Sequence, residues 1–298
     1  MSVRTLEQLE SLSSIWREIF GKSEDKKGNV FLSRVYMDGD LLVEQPEKTL
    51  SACRQLMAGE NPELFLALPY VIRKSDEPYL EQLCVLADEG PFAGFLIRSL
   101  DGLGFLKKHK NVKRLKLSNL DTDSGEKTYT LRTDAGLYVW NSLAAEELSG
   151  LVEGFCIPYE LKASEQRALL RGILLRELEL PCEKIVYSRI PMMITTNCVS
   201  KTTEGCQKGS NKIIRLVDRY HKEFPVLINC LHCTNIIYNG LPFALTSEKM
   251  KAQGRVALRL DFTLETGEEM ACVLRAFRQS GKMLEGLYTT GHEKRGVE

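Results

Sequence analysis

Residues 169–190 read LLRGILLRELELPCEKIVYSRI, and this single stretch carries the pattern that decides the fold. Its first part places apolar residues at helical three- and four-residue spacing, from Leu169 to Leu178. Its second part, 184–190, is a short run of β-branched and aromatic residues, which is typical of a buried strand. A helix that leads directly into a buried strand is the unit from which parallel sheets are built.

The same unit recurs along the chain at intervals of roughly 25 to 35 residues. A first helix, for example, is predicted from Leu6, Leu9, Leu12, Ile15 and Ile19. Eight strands are predicted, at 2–3, 30–37, 64–72, 94–98, 136–140, 154–159, 184–190 and 256–262. Eight strands that alternate with helices predict an α/β fold of TIM-barrel-like (β/α) repeats.

Two stretches interrupt this alternation. Residues 111–132 contain the polar turn LDTDSGEKT between two strand-like runs and are interpreted as a hairpin or surface excursion. Residues 195–254 follow the seventh strand and are rich in Gly, Asn and Cys. Long irregular insertions in compact α/β domains are usually functional or disordered, and the cysteine density argues against disorder here. We therefore expect a cysteine-rich metal- or cluster-binding insertion at 195–254.

The bulk composition limits the domain count and the partners. With 298 residues and 43% hydrophobic content, the chain can fold as one domain over 1–298. Forty basic residues offset forty acidic ones, so a nucleic-acid partner would need a local basic patch. The amino-terminal residues lack a signal-peptide pattern, and no stretch approaches the ~18 uninterrupted apolar residues of a membrane span. We expect a cytoplasmic protein with no membrane partner.

A reducing compartment makes structural disulfides rare, so the nine cysteines point to metal ligation, catalysis or burial. Four of them lie in the predicted insertion: Cys198, Cys206, Cys230 and Cys233. The Cys-x-x-Cys spacing of the last pair lets both sulfurs of a tight turn reach one ion or cluster edge. The four cysteines predict one thiolate site, and four thiolates would satisfy either zinc or a 4Fe-4S cluster. Five others, expected to be buried small side chains, are Cys53, Cys84, Cys156, Cys182 and Cys272.

Two alternatives concern the Cys-x-x-Cys pair itself. His232 lies inside the pair and could replace one thiolate, but we expect it to be an exposed loop residue. A redox-active dithiol is the rival interpretation of Cys230 and Cys233. Such a dithiol usually needs a helix directly after it, and the following residues 234–245, TNIIYNGLPFAL, are too irregular for one.

Catalytic candidates are sought at the carboxyl ends of the strands, where parallel α/β barrels collect their chemistry. The cavity-lining residues we select are Arg189, Glu160, Asn141 and His292. Each also has a simpler interpretation as a helix cap, a loop ion pair or a solvated charge. Together with Arg73, Lys74 and Arg98 they form a mostly cationic set, which would suit an anionic group or RNA phosphate. Further polar candidates at strand ends are Arg73 with Lys74, Arg98, Asp261 and Arg295.

Several segments together resemble a known family. These are RIPMMITTNCVSKTTEGC at 189–206, LVDRYHKEFPVLINCLHCTNIIYNGLPFAL at 216–245, LRLDFT at 258–263 and TTGHEKRGVE at 289–298. They are similar to the carboxy-terminal region of the long bacterial form of the collagenase-like peptidase family U-32. LALPYVIR, GFLIRSLDGLGFLK, GLYVWNSLAA and IPYEL extend the resemblance over nearly the whole chain.

The resemblance implies a barrel whose four cysteines hold an iron-sulfur cluster. Carried onto this sequence, the ligands are Cys198, Cys206, Cys230 and Cys233, which favours a 4Fe-4S cluster over zinc. Long members have a further barrel domain, so a partner barrel domain or a homo-oligomer is expected.

The family name implies proteolysis, whereas other members resemble oxygen-independent hydroxylases of RNA or of an aromatic small molecule. A peptidase needs an activated nucleophile or an open metal site, and four thiolates around one zinc leave no open position. The leading hypothesis is therefore an iron-sulfur-dependent enzyme that modifies RNA or an aromatic ring. The alternatives are a collagenase-like peptidase and a zinc-stapled, non-enzymatic RNA-binding or structural module.

Overall fold

The computed structural model describes residues 1–21, 32–110, 127–206, 209, 211–245, 256–279 and 288–292. Eight parallel strands in these ranges form a closed barrel. The barrel closes because Ser2 pairs with Tyr36 on one side and with Asp261 on the other. The barrel strands in chain order are β1 (Ser2–Val3), β2 (Arg34–Asp38), β3 (Glu63–Ala67), β4 (Phe92–Ile97), β5 (Thr130–Thr133), β6 (Gly154–Cys156), β7 (Cys182–Ser188) and β13 (Ala257–Asp261). The predicted TIM-barrel-like α/β fold is confirmed.

Helices follow most of the barrel strands. They are α1 (Leu6–Phe20), α2 (Gly39–Glu44), α3 (Pro46–Gly59), α4 (Glu77–Glu89), α5 (Leu100–His109), α6 (Ser142–Ser149), α7 (Ala163–Leu175), a short α8 (Val199–Glu204) and α9 (Gly267–Arg278). In α1, the spacing correctly predicts burial of Leu9, Leu12, Ile15 and Ile19. In α7, Leu169 and Ile173 are buried but Leu174 is 73% exposed. The apolar face of α7 is thus narrower than its sequence suggests.

The fifth strand was predicted in the wrong place. The strand is β5, and it pairs in parallel with β4 from Gly94–Thr130 to Ile97–Thr133. The predicted stretch 136–140 instead contains a 3-10 turn, Ala135–Leu137, followed by Tyr138 with a left-handed φ of 53°. The error arose because the polar residues before residue 130 made the run that forms β5 resemble one arm of a hairpin. Residues 111–126 of that stretch lie outside the described residues.

The predicted insertion follows the seventh strand and contains a separate antiparallel sheet. Its strands are β8 (Pro191–Thr195), β9 (Lys212–Val217), β10 (Glu223–Asn229) and β11 (Thr234–Tyr238), in the order β8-β11-β10-β9. A two-residue strand, β12 (Phe243–Ala244), then returns antiparallel to β7. Residues 246–254 of the predicted insertion, and the predicted strand start at 30–31, lie outside the described residues.

The barrel interior contains a buried ion cluster among its apolar layers. Arg259 on β13 is 2% exposed and pairs with Asp134 and with Glu183, whose Oε2 is 3.8 Å from Arg259 Nη1. The Tyr36 hydroxyl donates to Glu183 Oε1 at 2.6 Å, and Arg132 Nη2 lies 3.3 Å from the same oxygen. Each charge therefore has an opposite charge beside it, which is the condition for burying ions without shifting them to the neutral form.

Among the residues that the structure describes, no helix combines the length and the apolar character needed to span a bilayer.

Candidate functional site

The four predicted cysteine ligands lie at one end of the inserted sheet. Cys198 comes shortly after β8, Cys206 lies between α8 and β9, and Cys230 and Cys233 lie in the turn between β10 and β11. Because neighbouring strands are about 4.8 Å apart, the four strand ends next to these cysteines lie within roughly 15 Å of one another. We call this end of the sheet, which carries Cys198, Cys206, Cys230 and Cys233, the cysteine end.

Cys198 is placed by the helix that follows it. It is the N-cap of α8, and its Sγ accepts a hydrogen bond from the Lys201 amide at 3.4 Å. Asn235 on β11 donates to the Asn197 carbonyl at 2.9 Å and so joins the Cys198 loop to the strand that follows Cys233. Cys206 is exposed and comes directly after Gly205, whose φ of 82° turns the chain out of the helix.

The Cys-x-x-Cys pair occupies a tight turn that we call the Cys turn, residues 229–234. The Cys230 amide donates to Asn211 Oδ1 at 2.8 Å, which ties the turn to the start of β9. Cys233 has a left-handed φ of 46°, a conformation that costs a non-glycine residue free energy and is uncommon outside turns. Both cysteines keep part of their surface accessible.

His232 is not the exposed loop residue that we predicted. It is 4% exposed, its Nε2 lies 2.8 Å from Asp40 Oδ1, and its ring packs edge-on against Tyr79 at 4.6 Å between centroids. Arg73, a predicted strand-end cation, donates to the His232 carbonyl at 2.8 Å. Since Asp40 and Arg73 follow β2 and β3, the Cys turn is docked on the carboxyl-terminal side of the barrel.

The donor set fits a thiolate-bound metal or iron-sulfur cluster in the kind of ligand it offers. Four cysteines supply the soft ligands that zinc and iron-sulfur clusters prefer. In the described ranges, however, no three His, Cys, Asp or Glu side chains are grouped closely enough to hold a metal ion. Ligation by all four cysteines would therefore require Cys198, Cys206 and the Cys turn to move closer together.

A second feature is a buried polar network at the carboxyl ends of the first five barrel strands. We call it the barrel mouth, and it comprises Arg4, Asp38, Tyr70, Arg98 and Asp134. Arg4 donates to Asp38 at 3.3 Å and to the Tyr70 hydroxyl at 2.7 Å. Arg98 pairs with Asp38 and reaches Asp134 Oδ2 at 3.2 Å through Nε. Guanidinium and carboxylate groups thus alternate around the mouth.

The charges in this network fix its protonation state. Burial alone would raise the pKa of Asp134, but Arg259 and Arg98 beside it hold that pKa well below its usual range. Burial raises the pKa of Tyr70, although the nearby Arg4 and Arg98 oppose the change. At neutral pH the barrel mouth therefore presents ionised Asp134 and protonated Tyr70.

The inserted sheet covers the barrel mouth. Tyr238, the last residue of β11, is fully buried, and the Arg4 guanidinium carbon lies 5.9 Å from the centroid of its ring. Within the described part of the chain, the Tyr238 hydroxyl and Arg4 Nε have no hydrogen-bond partner. Two polar groups are thus buried without a partner where the sheet meets the barrel.

The four predicted catalytic residues are spread over the loops on this side of the barrel. Arg189 follows β7, donates to the Gly240 carbonyl at 3.0 Å and lines a cleft of about 520 Å³ between the inserted sheet and α9. Glu160 follows β6 and is half-buried. Burial and the nearby Glu160 carboxylate raise the pKa of Tyr138.

The other two predicted catalytic residues lie further out. Asn141 is exposed and caps α6 by accepting from the Ala144 amide at 3.0 Å, which is the simpler role named for it above. His292 is exposed in the segment 288–292, in which Thr289 bridges to Phe243. A catalytic role for Arg189, Glu160, Asn141 and His292 stays a prediction.

The further strand-end candidates differ in their surroundings. Arg98 belongs to the barrel mouth, and Asp261 accepts from Ser188 Oγ at 3.1 Å beside it. Lys74 is exposed, and Arg295 lies outside the described residues.

Sequence reasoning missed most of the barrel mouth. Arg4 and Asp38 directly follow the predicted strands 2–3 and 30–37, so the strand-end rule that selected Arg98 also applies to them. Asp134 was missed because the fifth strand was predicted in the wrong place. Asp40 and Tyr238 carry no such signal, because their partners come from the inserted sheet and the barrel respectively, far away in sequence.

Comparison with known proteins finds a weak structural similarity. No protein-family model matches this chain, and no curated protein matches it. A solved structure from Coccidioides immitis, described as a fructose-1,6-biphosphate aldolase, is similar with 11% sequence identity and a TM-score of 0.38. The similarity covers 61% of this chain and 62% of that one, so the chain spans about three fifths of that protein's length. A likeness at this level says nothing about activity.

Proposed function

We propose that this chain is an iron-sulfur enzyme domain similar to peptidase family U-32, with Cys198, Cys206, Cys230 and Cys233 as the ligands of a 4Fe-4S cluster. Its substrate is an RNA base or a small aromatic ring, and it modifies that ring without molecular oxygen. In such a hydroxylation a ring C–H becomes C–OH, and a hydroxylated donor molecule supplies the oxygen and takes up the hydrogen.

The main support for the proposal is that four cysteines share one end of a sheet docked beside the carboxyl ends of the barrel strands. That side of a (β/α)8 barrel carries the active site in the enzymes of this fold. The other thiols are poor rivals. Burial raises the pKa of Cys53 to about 12 and that of Cys84 to about 11, so neither is a nucleophile at neutral pH.

Once bound, a 4Fe-4S cluster would supply a one-electron centre whose potential depends on nearby charges and solvent exposure. The chain's own residues have separate roles. Arg98, Asp38 and Arg4 form a fixed array of charges beneath the inserted sheet, which would orient a polar ring that enters between the sheet and the barrel. Tyr70, held protonated by burial, can donate a hydrogen bond to a ring oxygen.

The test is the metal content of protein purified without oxygen. We expect about four iron and four acid-labile sulfide per chain, with broad visible absorbance. Cys198→Ser and Cys230→Ser should each lose most of that iron and absorbance. Cys272→Ser is the matched control, because Cys272 is also exposed but lies on α9, and it should keep both.

Other results would redirect the proposal. One zinc per chain with no iron would favour the zinc-stapled module and overturn the redox chemistry. Cleavage of denatured collagen by the purified protein, undiminished in Cys198→Ser, would favour the peptidase instead.

A further inference from the structure

We infer that Asp40, on the barrel helix α2, is the positioning residue that fixes the Cys turn on the barrel face through His232 and Asn229. The inference deepens the proposed function, on which it rests for the role of Cys230 and Cys233 as ligands. The docking itself follows from contacts that hold whatever the cysteines bind.

Asp40 accepts three side-chain hydrogen bonds, which come from two sides. Its Oδ1 lies 2.6 Å from the Tyr79 hydroxyl and 2.8 Å from His232 Nε2, and its Oδ2 accepts from Asn229 Nδ2 at 2.7 Å. A carboxylate can only accept, so the proton between His232 and Asp40 belongs to His232. Asn229 in turn accepts from the His232 amide at 3.1 Å. Both contacts from the Cys turn therefore meet at one carboxylate.

This site is shielded from water. The side chain of Asp40 is 19% exposed and that of His232 only 3%. Although burial opposes it, the hydrogen bonds from His232, Tyr79 and Asn229 lower the pKa of Asp40, so the group is ionised at neutral pH. Hydrogen bonds to a charged, buried acceptor are stronger than those between neutral groups, so this contact can hold a turn in place.

Further contacts make the same connection. Glu44, at the other end of α2, accepts from Asn211 Nδ2 at 3.3 Å, and Asn211 accepts from the Cys230 amide. Helix α2 thus contacts the cysteine end at both of its own ends.

The position of Asp40 in the chain gives this docking a functional meaning. Asp38, two residues earlier, ends β2 and pairs with Arg4 and Arg98 in the barrel mouth. One short stretch of backbone therefore fixes the distance between the mouth and the Cys230–Cys233 pair. Supporting groups of this kind set ligand geometry, and misplacement by about 1 Å is enough to impair a site.

The experiment measures amide hydrogen exchange of residues 229–234 in metal-free protein. Asp40→Ala should accelerate exchange there by about tenfold or more, because the turn then opens without unfolding the barrel. Asp88→Ala is the matched control, since Asp88 also accepts from a buried tyrosine, Tyr129, but lies at the opposite end of α4 from Tyr79. It should leave exchange at 229–234 unchanged.

A pair of exchanged substitutions distinguishes the loss of this one contact from general unfolding. In Asp40→Asn only one acceptor oxygen remains, so residue 40 can no longer accept from His232 and from Asn229 at the same time, and exchange should also accelerate. Adding Asn229→Asp restores a donor–acceptor pair and should return exchange toward that of the unmodified protein.

A second measurement follows the bound cluster. In protein that holds iron, Asp40→Asn should keep the iron but shift the midpoint potential, and the double variant should shift it back. Unchanged exchange in folded Asp40→Ala, or no rescue by the double variant, would overturn the inference. Iron-free protein with accelerated exchange in Asp40→Ala would instead overturn the proposed function and leave the docking intact.

Discussion

At the scale of single residues, Gly39 shows how closely the site is packed. A Cβ at this position would lie 2.7 Å from Leu83 Cδ2 and 3.1 Å from the Tyr79 hydroxyl oxygen. Only glycine lets α2 approach α4 closely enough for Tyr79 to reach Asp40. The chemistry of the docking site thus depends on a residue with no side chain.

We expect Gly39→Ala to lower the free energy of unfolding by about 1–3 kcal/mol, because the new methyl group must displace Leu83 or Tyr79. Urea denaturation measures it. Gly104→Ala on α5 is the control, since no heavy atom lies within 4 Å of its Cβ position, and it should stabilise the protein by up to about 1 kcal/mol. Equal effects of the two substitutions would contradict the close approach at Gly39.

Single residues also show which features can be predicted from the sequence and which cannot. The four cysteines lie at one end of the inserted sheet, and two of them do so because they share one turn; that they form a single site stays a prediction. The burial of His232 was not predictable in this way. Its partner Asp40 is 192 residues away, and no local pattern encodes such a contact.

At the scale of elements, the packing of the inserted sheet on the barrel includes a term that lowers the free energy of unfolding. The fully buried Tyr238 hydroxyl has no hydrogen-bond partner among the described residues, and such a group typically costs about 1–3 kcal/mol. This part of the interface between sheet and barrel is therefore less stable than its apolar packing suggests.

Tyr238→Phe should accordingly be neutral or stabilise the protein by up to about 1 kcal/mol, because it removes an unpaired polar atom without leaving a cavity. Tyr36→Phe is the contrasting variant: its hydroxyl donates to Glu183 at 2.6 Å, and its loss should cost about 1.5–3 kcal/mol. Thermal unfolding of the two variants compares them directly. A large loss of stability in Tyr238→Phe would show that its hydroxyl does have a partner.

Elements were predicted well where burial dominates the sequence pattern. Seven of the eight predicted barrel strands overlap the strands found, because each is a buried apolar run flanked by helical spacing. The remaining strand, β5, was missed because Arg132 interrupts its apolar run. That arginine points into a charged barrel interior, which patterns of apolar residues do not anticipate.

At the scale of the whole molecule, the buried ion cluster makes stability depend on pH. Burial opposes it, but Arg132 and Arg259 lower the pKa of Glu183, and Asp134 is held low by Arg259 and Arg98. In the unfolded chain these carboxyl groups titrate near pH ~4, so the unfolded state binds more protons below that value. Their stabilisation is complete above about pH 4 and is lost as the pH falls toward the folded-state pKa values.

We therefore expect the midpoint of urea denaturation to fall steadily from about pH 4 to pH 2. The decline should persist in 1 M salt, because buried pairs are screened far less than surface pairs. A midpoint that is constant over this range would contradict the assigned ionisation of Asp134 and Glu183.

The pairing of β1 with β13, which closes the barrel, affects how the protein folds during its synthesis. The strand that closes the barrel, β1, has two residues, and Ser2 must meet Asp261, a residue synthesised long after it. On the ribosome, the seven earlier barrel strands can form only an open sheet whose edges have unpaired backbone groups. Open edges of this kind invite pairing with other chains. The nascent protein should thus depend on chaperones until β13 emerges, and ribosome-bound chains ending before residue 257 should be far more sensitive to protease than the released protein.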